Sequence, residues 1–284
     1  MMILLRLHEF FRQHPLTRRD PAGAWIRVIL WQLRSRLRDE VVVGWLKGTK
    51  FAAHRGMTGF TGNIYAGSHE AVDMLFVLHF LRPGDLFGNV GANVGSYTVL
   101  ASGVAGAETV AFEPDPTTVA KLKRNISLNG LQDSVRVIEA AAGAGSGTVL
   151  LTRGRDTMNR VVSDADSDVR EVPVTTLDQA FAGHAPTMLK LDVEGFEDQV
   201  LEGAAEVLRR DELKVVAIET VTSIAADLLR VYGLVRLQYD PFRRELDLAR
   251  QRDEASNQLY VRDVESVMAR LRGAAPVHVL GQSI

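Results

Sequence analysis

Gly88-Asn89-Val90-Gly91-Ala92-Asn93-Val94-Gly95 is the stretch on which the reading of this chain turns. Before it, Asp85–Val90 reads as a strand; after it, Ser96–Val104 reads as a helix. A glycine-rich turn between a strand and a helix opens onto the carboxyl edge of a parallel sheet, where such sheets bind ligands. The glycines at 88, 91 and 95 stand three and four apart. A dinucleotide fingerprint needs spacings of two and three, so this turn does not fit one. The wider turn leaves room for something bulkier than a pyrophosphate on a helix N-terminus.

Working outward, Glu108–Glu113 reads as the next strand, and Glu113 follows Gly95 by 18 residues. A carboxylate at that strand end can accept both hydroxyls of a ribose. Glycine turn and Glu113 together describe a nucleoside-containing ligand without a pyrophosphate, and S-adenosylmethionine is such a ligand. The alternation continues with a helix over Thr117–Leu128, a strand over Val135–Ala141 and a hairpin arm over Gly147–Thr152. After a short extended piece at Val172–Thr175 come a strand over Thr187–Asp192, a helix over Glu197–Arg209 and a strand over Lys214–Thr220. Leu234–Tyr239 and Gln258–Val261 read as a final strand pair. Strands alternating with helices imply right-handed βαβ units and a doubly wound α/β architecture with helices on both faces.

Upstream, Glu70–Leu81 has helical spacing and is stopped by Pro83-Gly84, and residues 41–55 suggest a hairpin around Gly44 and Gly48. A helix is expected over Ala22–Arg38, since Asp20-Pro21 offers an N-cap followed by a tolerated first-turn proline. At ~100° per residue, Ile26, Ile29, Leu30, Leu33 and Leu37 share one face of it, with Arg27, Arg34 and Arg38 to one side. That face suits the main domain, a second copy of the chain, or an anionic membrane surface touched through residues 1–40.

The 284 residues are 46% hydrophobic and 24% charged, which excludes a long disordered chain. A net charge of −2 gives no support for a general nucleic-acid surface. With no cysteine, disulfide scaffolds, thiolate catalysis and cysteine-ligated metals are excluded. The first 50 residues, however, hold ten Lys/Arg against four Asp/Glu and all three tryptophans. They are read as a basic N-terminal extension (1–50) on a main domain (51–284). Apolar runs are too short for a membrane span, and no signal-peptide pattern is present. A cytoplasmic protein is expected, with the membrane's inner face as a candidate address.

Three motifs, VGANVGSYT, AFEPDP and LKLDVEGFE, then carry a resemblance. Together with Asn125 and Asn129-Gly130, they look like the FkbM family of S-adenosylmethionine-dependent methyltransferases, with the core at about 81–222. The resemblance implies a class I methyltransferase fold, Rossmann-like, with seven strands, the last antiparallel and inserted in the sheet. It implies O-methylation of a hydroxyl on a sugar, glycolipid or other secondary metabolite. It also implies a cofactor site built from Tyr65, Glu70, Asn89, Gly91, Ala92, Asn93, Gly95, Ser96, Tyr97, Glu113, Pro114 and Asp115. One position departs from the pattern: the family usually has Asp where this chain has Asn89. The lost charge would be supplied by Asp85, Glu70 or Asp192, or the chain is a binding module that keeps the fold without turnover.

At the reacting end, a sugar hydroxyl needs a general base or a metal to lower its pKa. Asp192, at the end of the fourth strand, is the first candidate, followed by Glu194 and Glu219. Asp192 and Glu219 are also candidate ligands for Mg²⁺, whereas Glu197 is expected to serve the following helix. His54 and His69 are within reach from the N-terminal side, but no histidine forms a ligand pattern. Asn159, in Asp156-Thr157-Met158-Asn159, is the candidate acceptor contact, and Asp240-Pro241-Phe242-Arg243 a candidate acceptor wall. The missing two-and-three glycine spacing argues against the rival reading of a nucleotide-dependent oxidoreductase.

Overall fold

A computed structural model describes residues 2–152, 161–162, 168–248 and 257–284. The chain opens with two helices, α1 (Met2–Gln13) and α2 (Pro21–Leu37). Asp20 caps α2 by accepting a bond from the Gly23 amide at 2.8 Å, and Pro21 takes the first turn, as its rigid φ allows. The antiparallel hairpin β1 (Glu40–Gly44) and β2 (Lys50–His54) follows, then α3 (Thr58–Ala66) and α4 (Ala71–Phe80).

The aliphatic face of α2 is not the one that packs. Ala24, Val28, Trp31 and Ser35 are buried, whereas Ile26, Ile29, Leu30, Leu33 and Leu37 are each between 52 and 82% exposed. The reason is Trp31, which enters a cluster with Val41, Phe51, Phe60 and Val94 and so ties the extension to the main domain. A buried indole outweighs a branched aliphatic in contact area, so it sets which face turns inward.

Three parallel strands lead from the centre of the main sheet to one edge: β3 (Leu86–Val90), β4 (Glu108–Phe112) and β5 (Val135–Ile138). A four-stranded satellite follows, made of β6 (Ala141–Ala142), β7 (Gly147–Thr152), β8 (Val161–Val162) and β9 (Val169–Thr175). The chain re-enters the main sheet as β10 (Met188–Leu191), β11 (Val215–Ile218), β12 (Val235–Asp240), β13 (Glu245–Leu248) and β14 (Gln258–Val261). Spatial order is β13-β12-β14-β11-β10-β3-β4-β5. β14 lies antiparallel between β11 and β12, so the expected inserted last strand is present. The sheet has eight strands rather than seven, because β13 folds back on β12 as an added edge strand.

The strand order reverses between β3 and β10, where the chain returns from the satellite sheet to the other side of β3, and apolar clusters pack against the sheet. Two helices differ from expectation. The one expected over Glu197–Arg209 is split into Glu197–Glu202 and Ala205–Arg209 at Gly203 and Ala204, whose ψ of 14° and 17° leave the helix, and Gly203 packs so close to the Gly143 carbonyl oxygen that a Cβ would lie 2.0 Å from it. The one starting at Ser96 widens into a π-helix over Val99–Ala105.

Trp31→Ala should cost about 3–5 kcal/mol in urea unfolding, the range for deleting a buried aromatic. Ile29→Ala, on the outer face of the same helix, should stay within about 0.5 kcal/mol. Equal losses would mean that α2 does not pack through Trp31.

Candidate active site

The turn after β3 is held by its neighbours. The amides of Gly91 and Ala92 both donate to the Phe112 carbonyl at the end of β4, at 3.1 and 2.8 Å. Gly91 has φ +81°, and a Cβ there would lie 1.8 Å from the carbonyl oxygen of Asp192 at the end of β10. Only glycine allows that approach. The sequence Gly91-Ala92-Asn93 thus draws three strand ends together around one cavity of about 370 Å³, a size suited to a small-molecule ligand.

Glu113 forms one wall. Its side chain accepts the Asn93 amide at 2.9 Å and the Asp115 amide at 3.0 Å, which fixes the carboxyl at the strand end. Burial pushes its pKa up to about 7, against the pull of those two amides. Beyond it the cavity is apolar, with Ala140, Ala141, Ala142, Leu151 and Phe196.

At the far end lies a cluster of charges. Asp192 accepts from the Lys190 ammonium at 2.5 Å and is hydrogen-bonded to Glu219. Lys190 is 2% exposed in the otherwise apolar strand Met188-Leu189-Lys190-Leu191, and its ammonium lies 4.4 Å from the centre of the Tyr97 ring. The Tyr97 hydroxyl donates to Glu70 at 2.5 Å. Burial opposes the charge on Lys190, but Asp192, Glu70 and Asp73 overcome it, so its pKa is raised and it stays an ammonium. Burial also opposes ionisation of Asp192, yet Lys190 holds its pKa below the usual carboxylate value. Glu219 goes the other way: burial and then the Asp192 charge push it to about 8, so at neutral pH it carries the proton that the pair shares.

All three expected catalytic acids, Asp192, Glu194 and Glu219, line the cavity, and one oxygen of each lies within 4.8 Å of the others. Glu194 is held at φ +56°, an uncommon backbone state of the kind that clusters at functional sites. Glu197 instead reaches back to the Val193 amide at 3.1 Å, at the start of its helix. Of the expected cofactor contacts, Glu70, Gly91, Ala92, Asn93, Ser96, Tyr97, Glu113 and Pro114 line the cavity.

Four others are placed elsewhere. Tyr65 packs against the N-terminal helices beside Phe11, Ala24 and Val28. Gly95 starts the Ser96 helix with φ +97°, where a Cβ would meet Leu122 at 2.7 Å. Asp115 caps the helix Pro116–Leu128 and pairs with Arg170 at 3.4 Å. Asn89 is buried beneath the turn, where its amide nitrogen donates to the Thr98 hydroxyl at 3.0 Å. Among the acids considered as replacements for its missing charge, Asp85 sits at the opposite end of β3, paired with Arg270, and Glu70 and Asp192 are in the cavity. His69 reaches the cavity, whereas His54 bonds the Asp39 carbonyl at 2.9 Å. Asn159, with Asp156-Thr157-Met158, lies outside the described residues.

Lys190 is the residue whose part sequence reasoning missed. The signal was a lysine inside a four-residue run that is otherwise fully apolar, where a charge is buried only if paired. A second cavity of about 430 Å³ shares Lys190 and Tyr97 with the first, and Arg18, Arg236, Asp73, Asp240, Pro241 and Phe242 line it. Asp240, Pro241 and Phe242 line this second cavity, while Arg243 turns away to Glu245 at 2.7 Å.

A family model, the methyltransferase FkbM domain, matches residues 89–232. The chain belongs to the FkbM methyltransferase family. Hexuronic acid methyltransferase AglP of Haloferax volcanii is 31% identical over 164 residues, which cover 54% of this chain and 62% of the relative. Less than two thirds of that relative is thus spanned. Similar solved structures include methyltransferase FkbM from Methylobacillus flagellatus KT, with TM-score 0.43, 19% identity, and 71% of this chain and 52% of that one covered. Precorrin-6y C5,15-methyltransferase from Geobacter metallireducens GS-15 has TM-score 0.40 and 15% identity, with 74% of this chain and 92% of that one covered.

The raised pKa of Glu219 has a consequence for stability in this FkbM chain. Between its ordinary 4.5 and about 8 the folded state binds more protons than the unfolded state, so this group's contribution falls as pH rises through that window. Glu219→Gln should therefore be more stable than the native chain at pH 9 and equal to it near pH 5, as read by thermal unfolding. A variant no more stable at pH 9 would show that Glu219 is not protonated by its surroundings.

Proposed function

We propose that the chain transfers a methyl group from S-adenosylmethionine to a hydroxyl of a sugar, with a sugar acid as the leading class. The observation that carries this is Glu113: a buried carboxyl fixed by two amides beside a glycine turn that is too wide for a dinucleotide. In this reading Glu113 accepts the ribose hydroxyls and Ala140–Ala142 with Phe196 enclose the adenine. Gly91–Asn93 and Ser96 hold the methionine end. The cofactor supplies a methyl group on a sulfonium, and the chain's own task is alignment, exclusion of water and removal of one proton.

The acceptor would enter from the second cavity and meet the first at Lys190 and Tyr97, which line both, next to Asp192 in the first. The bound cofactor would supply the methyl group to the acceptor oxygen, and the Asp192–Glu219 pair would take the hydroxyl proton. Lys190 keeps the negative charge on Asp192, while Glu219, with a pKa near the operating range, is the better proton acceptor once ionised. A carboxylate on the sugar has Arg18 and Arg236 within the same cavity, and its hydroxyls have Asp73 and Asp240. The name of the Haloferax relative, a hexuronic acid methyltransferase, supports the same class.

The spacing of Asp192, Glu194 and Glu219 favours a second reading of the proton step. These three acids would hold Mg²⁺, which lowers a hydroxyl's pKa when bound. Turnover that survives a chelator excludes it. The scaffold alternative rested on Asn89, and that side chain does not line the cavity.

Titration calorimetry tests the cofactor. S-adenosylmethionine should bind and NADH should not, and Glu113→Ala should weaken binding by about 10–100-fold, for the loss of charge-assisted bonds worth about 1.5–3 kcal/mol. Undiminished binding in Glu113→Ala removes the ribose assignment. With an acceptor in hand, the rising limb of kcat against pH should lie near 8. In Asp192→Asn it should move to lower pH, because the charge that raises the Glu219 pKa is gone; a limb that stays in place refutes the pair.

A further inference from the structure

α2 is apolar on two opposite faces. Its inner face is spent on Trp31, Val28 and Ala24, and on the outer face Ile26, Ile29, Leu30, Leu33 and Leu37 stand at least half exposed with no polar residue among them. At ~100° per residue, Arg27, Arg34 and Arg38 border that stripe on one side and Arg36 borders it on the other. The helix holds no Asp or Glu. Five large aliphatics aligned on one solvent-facing helix exceed the scattered exposed residues normal to a soluble surface.

The charge beside the stripe is also unanswered. Carboxylates elsewhere pair with Arg124, Arg170, Arg209, Arg230, Arg243 and Arg270. Among the described residues, Arg34, Arg36 and Arg38 form no ion pair: Arg36 bonds only the Gln32 carbonyl, at 2.7 Å, and Arg34 only that of Val42, at 3.5 Å. α1 adds two more exposed leucines, Leu4 and Leu5, next to Arg6.

We propose that the outer face of α2 lies on an anionic lipid bilayer, with its aliphatic stripe among the acyl chains and its arginines at the headgroups. Two features of the stripe select this occupant. It is a row of exposed aliphatics flanked by arginines, and nucleic acid offers phosphates to the arginines but nothing to the leucines. In a two-fold pairing with a second copy, the arginine flanks of two helices would face each other with no acid between them. A bilayer answers both halves at once, since acyl chains take the aliphatics and anionic headgroups take the arginines. The helix would lie in the plane: no helix among the described residues is long and apolar enough to cross a membrane.

The test is sedimentation of the full chain with vesicles of phosphatidylcholine alone or mixed with phosphatidylglycerol. The chain should sediment with the mixed vesicles, less so in high salt, and not with phosphatidylcholine. Replacing Arg34, Arg36 and Arg38 together by Gln should lower partitioning at least ~10-fold, since each basic residue near such a surface contributes about 1 kcal/mol. Leu30→Asp with Leu33→Asp should abolish it while thermal unfolding stays a single cooperative transition, because both side chains are at least half exposed. No partitioning into mixed vesicles, or partitioning that the double variant leaves intact, overturns the proposal. So does a concentration-dependent dimer in equilibrium sedimentation that the double variant dissolves, because the stripe then belongs to a second copy.

Discussion

Position 91 has no room for a side chain, and much of the site follows from that. The backbone of the first turn passes so close to the Asp192 carbonyl that a β-carbon would overlap it. The same turn donates two amides to the end of β4, so β3, β4 and β10 are locked at their carboxyl ends. A doubly wound sheet leaves a crevice where its strand order reverses. Here the close approach decides which groups face each other across it. Glu113 is fixed on one side by the Asn93 amide, which belongs to the same turn, and Asp192 is fixed on the other by its own main chain. The binding wall and the charged cluster are therefore positioned by one backbone contact, not by separate loops.

The charged cluster has its own logic. Glu70, Asp73, Asp192 and Glu219 gather around one cation, Lys190. A buried ammonium is costly unless it is paired, and here the surrounding acids are what keep it charged. The acids in turn take different states by their distance from it. Asp192, in direct contact, stays ionised, while Glu219, which meets the Asp192 charge, holds a proton to about pH 8. Two carboxyls with opposite shifts in one cavity are the arrangement from which acid and base roles are assigned. Such a cluster is held at the expense of stability, as functional sites often are.

Much of this was legible in sequence because it is written in local chemistry. Asp20-Pro21 starts a helix, Gly88–Gly95 is a turn, and the βαβ alternation gives a doubly wound sheet, while the inserted antiparallel strand came from the family resemblance. Side-chain destinations were harder. α2 has apolar residues on both faces, and nothing in its periodicity says that Trp31 would win the interior. Tyr65 and Glu70 are five residues apart in one motif, yet α3 carries Tyr65 towards the N-terminal helices and only Glu70 reaches the cavity. Gly203 read as an ordinary helical residue, because the carbonyl that excludes a side chain there comes from Gly143, sixty residues away in sequence. The eighth strand was missed for a similar reason: β13 alternates over only four residues, too few to stand out, and exists through its pairing with β12.

Asn89 reads differently once its neighbours are known. Across the β3–β10 ladder its backbone partner is Lys190, so the two side chains leave the same face of the sheet. Lys190 extends to Asp192, and Asn89 turns its amide to Thr98. A carboxylate at position 89 would stand beside the same ammonium and compete with Asp192 for it. The Asp192 pKa would then rise, since Lys190 is what holds it down, and Glu219 would lose part of the charge that raises its own. Replacing the family's usual acid by an amide thus leaves the Lys190–Asp192 contact undisturbed. It leaves the buried cation with one carboxylate in direct contact, Asp192, and keeps the charge that raises Glu219 on that residue.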